Sequence, residues 1–137
     1  MRLFVDTSVW SLALRRDRPS ERGPPVAALS HALEEGQPVI TTGLVLQELL
    51  QGFAGPKARQ QILGAFSALP LLVPDRDDHI AAATLRNTCR RGGVQAGTID
   101  ALIAQLCVRH DLSLLSTDEE FEHIARHTSL KIWRAAA

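Results

Sequence analysis

The sequence predicts an α/β fold, in which helices cover a mostly parallel central sheet of four to five strands. Short apolar runs of strand length alternate with longer segments of helical periodicity along all 137 residues. The first run, Leu3-Phe4-Val5, is apolar without interruption, which is typical of a strand buried on both faces of a parallel sheet. At this length, with 45% hydrophobic and 22% charged residues, residues 1–137 are expected to form one domain.

The balance of charge and the apolar runs limit the possible classes of protein. Fifteen basic and fifteen acidic residues give a formal net charge of zero, which argues against coating nucleic acid through bulk charge but allows a local basic rim around an acidic pocket. No apolar run is long enough to span a bilayer, and Asp6 interrupts the apolar start, unlike a signal peptide. Cys89 and Cys107 fit no metal or redox spacing, so we expect buried thiols and a cytoplasmic protein.

The predicted helices have recognisable first residues. Thr7 or Ser8 is expected to cap the first helix, because a hydroxyl can accept from the free N–H groups of the first turn, and Thr42 and Thr98 are expected to cap two later helices. Pro56 suits the first turn of another. The strands are predicted at residues 3–5, 38–41, 69–73, 112–116 and 130–133, and residues 15–25 are predicted as a surface loop. The helices are predicted at residues 9–14, 26–35, 44–52, 56–66, 75–91, 99–110 and 118–124.

Four of the fifteen acidic residues lie in apolar sequence or directly after a predicted strand. They are Asp6, Glu48, Asp100 and Asp118. Asp6 and Asp118 follow strands, and parallel strands place their carboxyl ends along one edge, where α/β proteins bind ligands. Glu48 and Asp100 lie in apolar helices without a Lys or Arg three or four residues away, so no local ion pair is available to them. Most other acids, such as Asp75, Asp77 and Asp78 at a helix start, are expected to have local or solvated roles.

Carboxylates that converge without cationic partners repel one another, and a divalent metal ion would relieve that repulsion. Ligands that are all oxygen favour Mg²⁺ or Mn²⁺. A carboxylate cluster holding one or two such ions is the usual apparatus for hydrolysing a phosphodiester. Three alternatives stay open at this point: Asp6 could be only a cap or turn residue, it could be the nucleophile of another phosphoryl-transfer enzyme, or the protein could be a binding module with an inactive site.

Four segments resemble the PIN-domain ribonucleases, and most closely the VapC-like toxins of bacterial toxin–antitoxin pairs. The segments read LFVDTSVW, LVLQELLQG, GTIDALIAQL and LLSTDEEFEHI, and they occur in the order that the family has, over nearly the whole chain. The resemblance implies a PIN-like three-layer α/β/α sandwich. It also implies an endoribonuclease that depends on Mg²⁺ or Mn²⁺ and inhibits translation or growth.

The resemblance also implies roles for individual residues. Asp6, Glu48, Asp100 and Asp118 would be the metal-binding and catalytic acids. Thr7, Ser8 and Thr117 would support them. The family often has a further acid two residues after the last Asp, and here that position is Glu120, whose extra methylene suits an outer-sphere role.

Partners are implied in the same way. We expect an RNA substrate, a homodimer and a cognate antitoxin, with no membrane association. A groove lined by Leu44, Leu46, Leu50 and Phe53 is one candidate surface for an antitoxin helix.

Overall fold

A five-stranded sheet forms the centre of the computed structural model, which describes residues 2–15 and 23–135. All strand pairings are parallel and the strand order is β3-β2-β1-β4-β5. Seven helices flank the sheet within these residues, so the predicted three-layer α/β/α architecture is confirmed. The strands are β1 Leu3–Val5, β2 Val39–Thr42, β3 Leu71–Leu72, β4 Ser113–Leu115 and β5 Lys131–Ile132.

The seven helices follow the predicted alternation with the strands. They are α1 Thr7–Leu14, α2 Gly23–Glu34, α3 Gly43–Gly52, α4 Pro56–Phe66, α5 Arg76–Arg91, α6 Thr98–Arg109 and α7 Glu120–Ala125. None of them is long and apolar enough to cross a membrane, within the residues that the structure describes. The predicted surface loop at 15–25 lies largely outside the described residues, and its last residues belong to α2.

Strand β1 is the centre of the core, because it pairs with β2 on one side and β4 on the other. Leu3, Phe4 and Val5 are buried, as the uninterrupted apolar run predicts. In the pairing with β4, Val5 lies opposite Leu115, which places the residues that follow the two strands side by side. This register brings Asp6 next to Ser116 and so determines the geometry of the site described below.

Two helix N-caps differ from the prediction. Asp6, rather than Thr7 or Ser8, caps α1, since its carboxylate accepts from the backbone N–H of Ser8. Gly97 precedes α6 and provides no side-chain cap, whereas Thr98 is already the first helical residue. An N-cap residue typically has extended backbone, and the sequence pattern does not reveal which residue of a short connection adopts it. The caps predicted at Thr42 and the start at Pro56 are confirmed.

Helix α5 is fixed to α6 by an ion pair that the sequence did not indicate. Asp75 and Asp78 form a reciprocal capping box at the start of α5. Asp78 is only 1% exposed, and its Oδ2 accepts from the guanidinium of Arg109 at the end of α6 at 2.7 Å. The prediction that Asp78 has only a local role was therefore incomplete. Its partner lies 31 residues later, beyond the reach of helical spacing.

Candidate metal centre

Asp6 is the most deeply placed acid of the site. It directly follows β1, is 6% exposed, and accepts at Oδ1 from both the N–H and the hydroxyl of Ser8. Its Oδ2 accepts from the hydroxyl of Ser116 at 2.7 Å. Burial raises the pKa of Asp6 above its ordinary value, and these hydrogen bonds oppose the increase. A carboxylate has about four lone-pair positions, so roughly one remains for a further ligand.

The residues after β4 are tied to the same carboxylate. Ser116 accepts from the backbone N–H of Asp118 at 3.0 Å while it donates to Asp6, and the hydroxyl of Ser8 accepts from the N–H of Thr117 at 3.0 Å. One hydroxyl group thus connects two of the predicted acids. Thr117, which is expected to support the acids, contributes its backbone N–H to this network.

Glu48 reaches the site from α3, on the other side of β1. The hydroxyl of Thr7 donates to its Oε1 at 3.1 Å, which supports the role expected for Thr7. The expectation that Glu48 is embedded in apolar surroundings was wrong, because the residue is exposed. Helix α3 buries mainly the face that carries Val45 and Leu49, and its remaining leucines are partly buried. The carboxylate of Glu48 therefore carries little desolvation cost in this fold.

Asp100 shows most directly that the acids converge. The residue lies in the first turn of α6 and is partly buried. Its pKa is raised to about 6, first by burial and then by the negative charges of four other carboxylates. In decreasing order of effect, these are Asp118, Asp6, Glu120 and Glu48. The four predicted acids and Glu120 therefore share one electrostatic environment, which we call the carboxylate cluster.

Asp118 and Glu120 complete the cluster between β4 and α7. Oδ1 of Asp118 accepts from the backbone N–H of Glu120 at 2.9 Å, which fixes the turn between them. Oε1 of Glu120 is buried, yet has no hydrogen-bond partner among the described residues. A buried carboxylate oxygen without a donor is costly, and a cation, or a water held by one, would satisfy it.

The donor set of the carboxylate cluster fits a hard divalent cation. All candidate ligands are carboxylate oxygens, and none of the ion pairs among residues 2–15 and 23–135 involves these five acids. In the same residues no three His, Cys, Asp or Glu side chains stand close enough to hold an ion as they are oriented. Binding would therefore require the exposed carboxylates to rotate toward a common point, which their mutual repulsion opposes until a cation is present.

Ser116 is the residue of this site that the sequence did not reveal. Its neighbours Thr117 and Asp118 are predicted site residues, but a serine after a strand is common and carries no signal of its own. Its role depends on the β1–β4 register, which places it beside Asp6. If the pairing of β1 with β4 were known, it would indicate Ser116, because residues at equivalent positions after two paired parallel strands are adjacent.

Two alternatives find no support in the geometry. A nucleophilic Asp6 would need an oxygen open to a substrate, whereas the residue is 6% exposed and its three hydrogen bonds leave room for only about one further ligand. The second alternative is a zinc site at His123 and His127, which are four residues apart, a spacing that zinc-binding histidines on a helix can have. No group of residues that could hold a metal ion forms around them in the described part of the chain. Instead, Arg126 lies 3.4 Å from the ring of His123, while the ring of His127 packs over Gly92.

Comparison with known proteins identifies the class to which this fold and site belong. A family model described as the PIN domain matches residues 3–127. The chain belongs to the PIN-domain family.

Within that family, the relatives of matching length are VapC ribonucleases. VapC ribonuclease Mb1587 of Mycobacterium bovis and ribonuclease VapC11 of Mycobacterium tuberculosis are each 30% identical to the chain over 131 residues. The match covers 94% of this chain and 96% of each relative.

Solved structures agree with this assignment at the level of the fold. A chain in the crystal structure of FitAcB from Neisseria gonorrhoeae superposes with a TM-score of 0.73 at 22% identity, covering 96% of both chains. A chain in the structure of VapBC2 from Rickettsia felis bound to a promoter DNA fragment gives a TM-score of 0.72 at 20% identity. That match covers 97% of this chain and 98% of the other.

Proposed function

We propose that this protein is a divalent-metal-dependent endoribonuclease that acts as the toxin of a toxin–antitoxin pair. The observation that carries the proposal is the convergence of five carboxylates, without a cationic partner among the described residues, at the carboxyl edge of the sheet. Membership of the PIN-domain family and the names of the VapC relatives support ribonuclease activity. Mg²⁺ or Mn²⁺ is the cation that an all-oxygen site favours.

Asp6, Asp100, Asp118 and Glu48 are the residues that would hold the cation, with Glu120 in an outer position. When bound, a divalent cation activates water for attack on a phosphodiester and offsets the negative charge of the phosphate. The protein supplies the orientation of the ligands. Ser8 and Ser116 fix the carboxylate of Asp6, and Thr7 fixes that of Glu48.

Asp100 must be ionised to serve in this site. Its pKa of about 6 means that the metal-free protein retains a proton on this carboxyl group in mildly acidic solution. Loss of that proton precedes metal binding, so the affinity for the cation increases as the pH rises through this value.

The proposal is tested by incubating the full-length protein with structured RNA in Mg²⁺, in Mn²⁺ and in EDTA. We expect cleavage in either metal and none in EDTA. The same incubation with Asp77→Asn tests the preparation, since Asp77 is an exposed residue of the first turn of α5, outside the cluster. Absence of cleavage of any RNA in either metal, by a folded sample, would contradict the proposal.

An antitoxin is the proposed protein partner, since the solved VapBC structures of similar fold are toxin–antitoxin complexes. The residues of the groove expected for the antitoxin, Leu44, Leu46, Leu50 and Phe53, are all half-buried. Leu46, Leu50 and Phe53 pack against the main core, whereas Leu44 belongs to a separate cluster.

A different apolar groove, between α1, α2 and α4, is the surface that we propose for the antitoxin. Trp10 and Leu33 line it, and Leu33 is 45% exposed. The indole N–H of Trp10 is buried and has no acceptor among residues 2–15 and 23–135. A partner segment could cover Leu33 with an apolar side chain and could accept from the indole N–H of Trp10 with a carbonyl or carboxylate oxygen.

The antitoxin surface is tested by Leu33→Glu. This variant should lose co-purification with the antitoxin from the neighbouring reading frame while it retains RNA cleavage. Leu63→Glu, at a leucine that is 42% exposed and outside the groove, is the matched control. We also propose that the protein is a homodimer, which sedimentation equilibrium of the full-length chain measures directly.

A further inference from the structure

We propose that a cavity beside the carboxylate cluster binds one unpaired base of the RNA, an inference that rests on the nuclease function proposed above. The cavity has a volume of about 390 Å³ and lies between α3, α5 and α6. We call it the α5/α6 cavity. Cavities that bind small ligands have volumes of roughly 300–1,000 Å³, and they combine apolar walls with a few polar groups.

The α5/α6 cavity adjoins the carboxylate cluster. Ile99 and Ala101 line it, and they flank Asp100 in the first turn of α6. Leu44 lines it from α3, four residues before Glu48. Residues four apart lie on the same face of a helix, about one 5.4 Å turn from each other. A nucleotide whose phosphate lies at the carboxylates could therefore place an adjacent base in the cavity.

The walls of the cavity suit the flat face of a base. They are largely apolar and include Leu44, Ala83 and Ile99, of which Ala83 and Ile99 are exposed at the mouth. Sequence-specific recognition of RNA mostly uses bases that leave the stack and pack against side chains. Packing of this kind needs no charge, which is consistent with the zero net charge of the protein.

Four polar groups in the cavity are available to the edge of a base. Nε of Arg86 donates to the carbonyl oxygen of Ala96 at 2.8 Å, which fixes the guanidinium while its terminal nitrogens have no partner among the described residues. Three further groups in the cavity have no hydrogen-bond partner in that part of the chain: the amide nitrogen of Asn87, the hydroxyl of Thr98 and the ring of His79.

The same polar groups distinguish a base from a second copy of this chain as the occupant. An apolar protein surface pressed on the cavity would bury the guanidinium of Arg86 and the amide of Asn87 without partners, which is costly. A base presents two or three donors and acceptors on its edge and can satisfy them.

The experiment fills the cavity and measures RNA binding separately from cleavage. Ala83→Leu adds a large side chain at an exposed cavity position, and Thr84→Leu places the same side chain at an exposed position of α5 outside the cavity. Both are made in the full-length chain carrying Asp118→Asn. Binding of labelled A₆, C₆, G₆ and U₆ in EDTA is measured by fluorescence anisotropy, and sedimentation gives the oligomeric state. The two substitutions are also made in the otherwise unchanged protein, and its cleavage sites are mapped.

The inference predicts that the parent prefers one base. Ala83→Leu should weaken binding of that hexamer by about tenfold, the usual effect of losing a stacked base, and should remove the preference at the nucleotide next to the cut. Thr84→Leu should stay within about twofold of the parent.

Three outcomes test this inference separately from the nuclease function. If the unsubstituted protein cleaves RNA and Ala83→Leu keeps the same affinity and the same cleavage sites, the cavity does not bind a base, although the nuclease function stands. A change of oligomeric state in Ala83→Leu with unaltered RNA binding overturns the inference as well, because the cavity is then an interface between copies. If the hexamer preference is lost in Ala83→Leu but the unsubstituted protein cleaves nothing, the base site stands and the nuclease function fails.

Discussion

The hydroxyl of Ser116 donates a 2.7 Å hydrogen bond to Oδ2 of Asp6, although 110 positions separate the two residues in the chain. The same oxygen of Ser116 accepts from the N–H of Asp118. This arrangement joins the carboxyl ends of β1 and β4 and fixes one acid relative to another. Ser116 is thus a positioning residue for the proposed reaction.

Ser116→Ala should lower kcat for RNA cleavage by about tenfold, since a hydrogen bond to a charged group contributes roughly 1.5–3 kcal/mol. Loss of a donor to the carboxylate also raises the pKa of Asp6 further, so the acidic limb of the pH–rate profile should move to higher pH. Ser116→Thr should restore both properties. Ser113→Ala, on the strand that Ser116 follows, is the control. An unchanged acidic limb in Ser116→Ala would contradict the positioning role.

Removal of one charge from the cluster should abolish most of the activity. Asp6→Asn, Asp100→Asn and Asp118→Asn keep the side-chain volume but remove a ligand charge, so each should reduce cleavage by roughly a hundredfold or more. Circular dichroism should show a retained fold in each. Asp77→Asn should cleave normally, and near-normal cleavage by Asp100→Asn in saturating Mn²⁺ would show that the cluster is not the active site.

Substitution of Glu120 should reduce RNA cleavage less than the three Asp→Asn substitutions do. Its negative charge contributes to the raised pKa of Asp100, so Glu120→Gln should lower that pKa below about 6. Carboxyl ¹³C NMR of the metal-free protein measures the shift directly. We expect cleavage to fall by less than about tenfold, as for an outer-position residue. Glu119→Gln, at the exposed neighbouring position, should alter neither property, and an unmoved Asp100 titration in Glu120→Gln would place Glu120 outside the cluster.

Four of the five acids of the cluster could be found from the sequence, because each of the four stands where a strand ends or where apolar sequence surrounds a charge. Glu120 is implied only by the family resemblance. Asp6 and Asp118 follow β1 and β4, and Asp100 opens α6. Once parallel strands are predicted, their common edge brings such residues together whatever the exact strand bounds are. Strands β3, β4 and β5 are one or two residues shorter than predicted at each end, and this does not move the site.

What the sequence could not provide depends on contacts between distant segments. The bond from Ser116 to Asp6 follows from the β1–β4 register, and the pairing of Asp78 with Arg109 follows from the packing of α5 on α6. Neither contact produces a periodic pattern of residues within a single segment of the sequence. The exposure of Glu48 was misjudged for a related reason: apolar neighbours in a helix do not reveal which face the rest of the fold covers.

The last prediction connects the site to stability through Asp100. Its folded-state pKa of about 6 exceeds its ordinary value of 3.8, so between these values the folded protein binds more protons than the unfolded chain. This contribution stabilises the fold at low pH and is lost as the pH rises through about 6. At neutral pH the metal-free parent therefore holds an ionised Asp100 among four other carboxylates, and Asp100→Asn relieves that repulsion.

In EDTA, Asp100→Asn should melt at nearly the same temperature as the parent at pH 4 and at a higher temperature at pH 7.5. Each kcal/mol moves the melting temperature of a domain of this size by about 3–5 °C, so the difference is measurable by calorimetry. Mn²⁺ at a hundredfold excess over its dissociation constant should stabilise the parent by about 2.7 kcal/mol and the variant much less. The difference between their melting temperatures should therefore become smaller or change sign. Asp77→Asn should follow the parent in every buffer. A parent that does not respond to Mn²⁺, together with an Asp100→Asn variant that is not stabilised in EDTA at pH 7.5, would rule out a convergent metal site.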